Sequence, residues 1–177
     1  MDFAELREYK TVLVLVCVLV LNVVVMFLLL GLDSFVHGDL YGYGLVFSYN
    51  WANLYWHNSL MLWTCVGGAT VLAAASIVPH YLHSNGPSRF SKWTGFLLST
   101  LAMVYQGVGI FFFSQINSLV WSGLYDYGLQ GDIDWTTTYN PISTPILTLM
   151  VVAFLALIIP AVRTLEIIKI EIVDEDE

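Results

Sequence analysis

The stretch Thr11–Leu32, TVLVLVCVLVLNVVVMFLLLGL, decides the fold. It carries no charge, and Asn22 is the one strongly polar side chain near its middle. In water so many valines would favour a strand. In a bilayer no water is present to satisfy an open strand edge, so a lone apolar segment of this length spans as a helix. Three further apolar stretches follow, at about 58–80, 93–114 and 141–162. The expected fold class is therefore all-α integral membrane, one domain over residues 1–177 with four transmembrane helices.

The composition agrees. Hydrophobic residues make up 58% of the chain and charged ones 11%, against about 25% charged in an average soluble domain. The six cations fall in three pairs: Arg7 and Lys10 before the first span, Arg89 and Lys92 between the second and third, Arg163 and Lys169 after the fourth. Cations flanking spans stay on the cytoplasmic side. The expected topology puts both termini and the middle loop inside, in a plasma membrane. The chain is expected to keep its first span, because the mixed-charge flank and the run of over 20 apolar residues do not resemble a cleaved signal. So few cations give no electrostatic support for binding nucleic acid.

The two segments expected outside, about 33–57 and 115–141, hold no Lys or Arg and are rich in Tyr and Trp. Aromatic rings with a polar edge belong at the membrane interface or against a partner subunit. The segment 163–177 is expected to be a short amphipathic and acidic tail. Its isoleucines fit both helical spacing and strand alternation up to Val173, and Asp174–Glu177 end it as a solvated acidic run.

Helix packing is legible from small residues. Cys65, Gly68, Ala69, Ala73 and Ser76 share one face of the second span. Gly95, Ser99, Ala102, Gln106 and Gly109 share one face of the third. Two such faces allow close backbone approach, so these spans are expected to pack as an antiparallel pair. Pro79 is expected to close the second span and Pro141 to open the fourth. Cys17 and Cys65 fall at different depths, which argues against a disulfide.

Chemistry is sparse. No Asp, Glu, Lys, Arg or His lies in the middle of any span, although ion-coupled transporters and proton relays place such groups there. Asn22 and Gln106 are the strongly polar mid-span residues, read as interhelical hydrogen bonders. His57, His80 and His83 cannot clamp a haem from two facing helices, because the third and fourth spans contain no histidine. On the outer side Asp33, His37, Asp39 and His57, with Asp126, Asp132 and Asp134 nearby in the same topology, offer nitrogen and carboxylate ligands of the kind zinc, copper or iron accepts. Their spacing matches no metal signature. No nucleophile elbow, Ser–Lys pair or phosphate-binding glycine loop is present.

These features favour an accessory, non-catalytic subunit of a larger membrane complex. Respiratory or other oxidoreductase assemblies and membrane metal monooxygenases are the expected class. The chain itself would carry no cofactor; haem, copper or iron would sit in other subunits, and its partners would be integral-membrane chains and lipid. Two alternatives remain: a redox or metal enzyme with its site at the outer surface, and a stand-alone oligomeric scaffold or binding protein.

Overall fold

A computed structural model describes residues 3–40, 49–85, 89–126 and 135–175, and side chains within 10–38, 51–82, 90–123 and 139–162. The described residues form four long helices: α1 (Phe3–Phe35), α2 (Tyr49–Asn85), α3 (Arg89–Asp126) and α4 (Trp135–Glu175). A short wider π-type turn, Val36–Leu40, follows α1. Each helix is long and apolar enough to cross a membrane, which makes this a multi-pass membrane protein.

The helices adjoin in a closed ring, α1 to α2, α2 to α3, α3 to α4 and α4 back to α1, with α2–α3 the most extensive pair. Neighbours run antiparallel. Asp33 of α1 meets Tyr55, Ser59 and Trp63 of α2. Ser76 of α2 meets Ser99 of α3, and Gln106 of α3 meets Met150 of α4. The bundle thus has a basic end, where the six cations lie, and an aromatic end.

Outward-facing residues mark where the hydrocarbon stops. On α3 the exposed positions are Phe90, Trp93, Leu97, Leu101, Val104, Tyr105, Val108 and Phe111, then Ser114, Gln115, Ser118 and Ser122. The apolar part covers about 32 Å at 1.5 Å per residue, close to the roughly 30 Å of a bilayer core. On α1 the same belt runs from Leu13 to Leu30, about 26 Å by the same rise. On α4 exposed Asn140, Thr144 and Thr148 give way to Val151, Val152, Leu155, Ile159 and Val162. Hydroxyls on this surface bond the carbonyl four residues back: Thr64 to Leu60, Thr148 to Thr144. That local bond lets a hydroxyl sit against lipid without an unmet donor.

Beyond the belt the helices continue, as the polar run Ser114, Gln115, Asn117 and Ser118 predicts for α3, while α2 and α4 start before the span limits expected from the sequence. α3 runs to Asp126 and α4 starts at Trp135, so much of 115–141 is helix. α2 begins at Tyr49, which puts Trp51, Tyr55 and Trp56 on a helix. The apolar run measured only the part in hydrocarbon; outside it, side-chain packing carries the helices on. Phe35, Val36, Tyr55, Ile116, Val120 and Tyr139 are all buried in the larger of two apolar clusters. Several aromatic residues expected on the surface are therefore core, while Trp56 remains exposed.

Three more expectations give way. Pro79 does not close α2, which runs on to Asn85, and Pro141 lies inside α4 rather than at its start. A proline breaks one bond of the ladder, but in packed membrane helices the surrounding helices hold the segment together, and Pro79 is itself buried. Arg89 and Lys92 are on α3, not in a loop, and Lys92 is buried. The tail after Val162 is helix to Glu175, which resolves the helix–strand ambiguity in favour of helix; its side chains lie outside the described residues.

Candidate functional site

Polar side chains inside the bundle gather at three levels. The first is at the aromatic edge of the belt. Asp33 sits in the last turn of α1, just after the apolar run ends. On α2, Tyr55, Ser59 and Trp63 follow at a spacing of four, so all three face the same neighbour. The Tyr55 hydroxyl donates to Asp33 Oδ1 at 2.7 Å and the Ser59 hydroxyl to the same oxygen at 2.9 Å. The Trp63 indole N–H donates to Oδ2 at 2.8 Å. An ionised carboxylate offers about four acceptor positions, and three are taken. Charge-assisted bonds of this length are the strong kind.

Aromatic rings surround this carboxylate. Trp51 stacks on Tyr55 at 5.6 Å with planes 5° apart, and Trp56 meets Tyr55 edge-on at 5.4 Å. The Trp51 indole donates to the Leu119 carbonyl at 3.2 Å, tying α2 to α3. Tyr139 of α4 lies 6.3 Å from Phe35 and 6.2 Å from Trp121 between ring centroids. All four helices thus contribute to one aromatic cap.

The second level is mid-bundle. Asn22 and Gln106 are both 0% exposed. Gln106 donates from Nε2 to the Met150 carbonyl at 3.3 Å. Its Oε1, and both side-chain polar atoms of Asn22, have no partner among the described residues.

The third level lies toward the basic end. The Ser76 and Ser99 hydroxyls share a hydrogen bond at 2.7 Å, and His80 Nε2 is 3.3 Å from Ser99 Oγ. Gly95 makes room for the imidazole: a Cβ there would be 3.2 Å from His80 Nε2. Ser99 is completely buried, so this serine–histidine contact has no access for a substrate.

Of the residues read from the sequence as metal ligands, Asp33, His37 and His57 have described side chains, and these three form no common cluster. Asp33 is engaged by Tyr55, Ser59 and Trp63. The ring of His37 packs edge-on against Trp56 at 5.8 Å. His57 is exposed on α2 and takes no part in the bonds to Asp33. Among the described residues no three His, Cys, Asp or Glu side chains come together to hold a metal. The side chains of Asp39, His83 and Asp126, and the whole of Asp132 and Asp134, lie outside the described residues. Cys17 faces outward and Cys65 is buried, and neither is in a disulfide.

The small residues read as packing positions occupy the helix seams. Ala69, Ala73 and Ala102 are 0% exposed. A Cβ on Gly68 would come within 2.6 Å of the Tyr105 ring, and one on Gly109 within 3.3 Å of Cys65 Cβ. The donors to Asp33 were not singled out from the sequence. The spacing of four in Tyr55, Ser59 and Trp63, opposite an acid at the end of an apolar run, is the signal that finds them.

Comparison with protein-family models, with curated proteins and with solved structures finds no match for the chain.

Proposed function

We propose that this chain is an accessory, non-catalytic subunit of a larger integral-membrane complex, joined to its partners at the aromatic end. The observation that carries the reading is how the polar interior is used. Asp33, Gln106, Ser76, Ser99 and His80 all make bonds between helices, which build a scaffold. The helices also project beyond the belt: α3 continues about 18 Å from Ser114 to Asp126 at 1.5 Å per residue. A packed aromatic cap of that height is a rigid platform, and Tyr and Trp are the residues that anchor interfaces.

In this reading the basic end, with both termini, is cytoplasmic, because all six cations lie there, and the membrane is the plasma membrane. Respiratory oxidoreductases and membrane metal monooxygenases are the assemblies proposed, with their haem, copper or iron in other subunits. The test is purification from the native membrane in mild detergent, followed by mass and metal analysis. The expected result is a particle containing unrelated chains in constant ratio, with the metal following those chains. A particle made only of this chain points instead to a scaffold, and a lone chain carrying stoichiometric metal points to an enzyme of the outer surface.

A further inference from the structure

We propose that ordered water is bound at the centre of the bundle, hydrogen-bonded to the carboxamides of both Asn22 and Gln106. The two residues sit on α1 and α3, which lie diagonally across the ring of helices. Their shared depth follows from the two apolar clusters of the core. Asn22 lies between Val18 of the smaller cluster and Val25 of the larger. Gln106 lies between Ala102 of the smaller and Phe113 of the larger. On α4, Met150 of the larger and Ala153 of the smaller bracket the same level. One polar layer therefore separates two dry ones.

Gln106 Nε2 is met by the Met150 carbonyl, but the other carboxamide atoms in that layer have no partner among the described residues. Three of the six buried side-chain atoms without a partner among the described residues are Asn22 Nδ2, Asn22 Oδ1 and Gln106 Oε1. The side chains facing the layer from the clusters are alanine, valine and methionine, with Ala73, Ala102 and Ala153 all fully buried. The Thr70 hydroxyl turns back onto its own helix, donating to the Val66 carbonyl at 2.6 Å. A carboxamide bonded that way through its N–H still has an unmet oxygen.

The ligand must therefore both donate and accept. A metal cation would meet the two oxygens and oppose the Asn22 N–H groups. An apolar molecule would meet none of them. Water donates to Oδ1 and Oε1, accepts from Nδ2, and is stable in a buried site that gives it two to four polar partners. Full burial of both residues also rules out a neighbouring chain as the source of the missing partners.

The test is solid-state NMR on the full-length, isotope-labelled chain in lipid bilayers, with polarisation passed from water protons to side-chain nitrogen. The expected result is early transfer to Asn22 Nδ2 and Gln106 Nε2, with the backbone amides of Val18 and Val25 remaining dark at the same mixing time. Gln106→Leu should then cut the transfer to Asn22 Nδ2 at least twofold, with the Val18 and Val25 signals holding their positions as a check on the fold. Transfer to Asn22 no greater than to Val18 and Val25 in the unmodified protein overturns the proposal. So does a sodium- or potassium-dependent shift of the two carboxamides without water transfer, which would make the ligand a cation.

Discussion

Asp33 shows how one residue can lock two helices at a membrane surface. Its carboxylate is met by Tyr55, Ser59 and Trp63, and hydrogen bonds to a charged group contribute about 1.5–3 kcal/mol each, while leaving a buried donor unmet costs about 1–3. Because Asp33 is partly exposed, the lower figures apply. Asp33→Asn keeps an oxygen for Tyr55 and Ser59 but turns an N–H₂ toward the Trp63 indole, so it should destabilise the bundle by about 1–2 kcal/mol. Asp33→Ala removes both acceptor oxygens, and with them all three bonds, and should cost about 3 kcal/mol. Thermal unfolding in one detergent ranks the two, and the Trp63 indole proton resonance should move in both. If Asp33→Asn and Asp33→Ala unfold alike and leave Trp63 unmoved, the carboxylate is not the lock described. The Ser76–Ser99 bond should be weaker. A double-mutant cycle with alanine at both should give a coupling near 0.6 kcal/mol, the usual scale for hydrogen bonds between membrane helices. A coupling indistinguishable from zero would remove this bond from the account of how α2 holds α3.

At the scale of the helix, glycines on the α2–α3 pair divide by what their missing side chains would touch. A Cβ on Gly109 would be 3.1 Å from Met150 Cε and 3.3 Å from Cys65 Cβ. The methionine end can move; the cysteine Cβ, fixed to its backbone, cannot. Gly109→Ala should therefore push α2 and α3 apart and cost about 1–2 kcal/mol, the scale of mild overpacking. Gly67 is one residue from the seam and nothing lies within 4 Å of its built Cβ. Gly67→Ala should stay within about 0.5 kcal/mol of the parent, as surface changes do. Equal effects at both positions, measured by the same unfolding assay, would mean that the seam does not run where these distances put it. Both glycines belong to the apolar interior of a span, and the spacing of the small residues on α2 and α3 indicated which faces meet. The spacing carried no information that Gly68 lies against Tyr105 or Gly95 against His80. Those contacts depend on the vertical offset between two helices, set by the fit of every side chain along the seam.

For the whole molecule, the exposed surface changes character between Phe111 and Ser114 on α3, and this places the edge of the bilayer. A nitroxide at position 108 or 111 should collide with oxygen, which dissolves in lipid, and one at 118 or 122 with a water-soluble nickel chelate. Equal oxygen exposure along all four positions would sink the proposed projection of α3 into water. In intact cells, an impermeant thiol reagent should modify a cysteine at 122 and spare one at 84, because Ser84 is at the basic end. The reverse labelling would invert the proposed topology.

The sequence by itself determined the four spans, their helical state and the side on which the cations gather. Each of these follows from one dominant cost: an unpaired backbone group or a bare charge in hydrocarbon. It also indicated that Asn22 and Gln106 are polar groups at mid-span. Only the tertiary structure decided where the helices end, since Tyr55 and Tyr139 are equally at home on a wet surface and in a core, and neighbours from other helices made them core. It likewise decided the fate of Asp33. Its carboxylate accepts from three donors on α2, contacts that depend on the register of α1 against α2. The same packing closed the centre of the bundle around two carboxamides and left Gln106 Oε1 and both polar atoms of Asn22 unmet among the described residues. That result depends on all four helices at once, and no one segment of the chain encodes it.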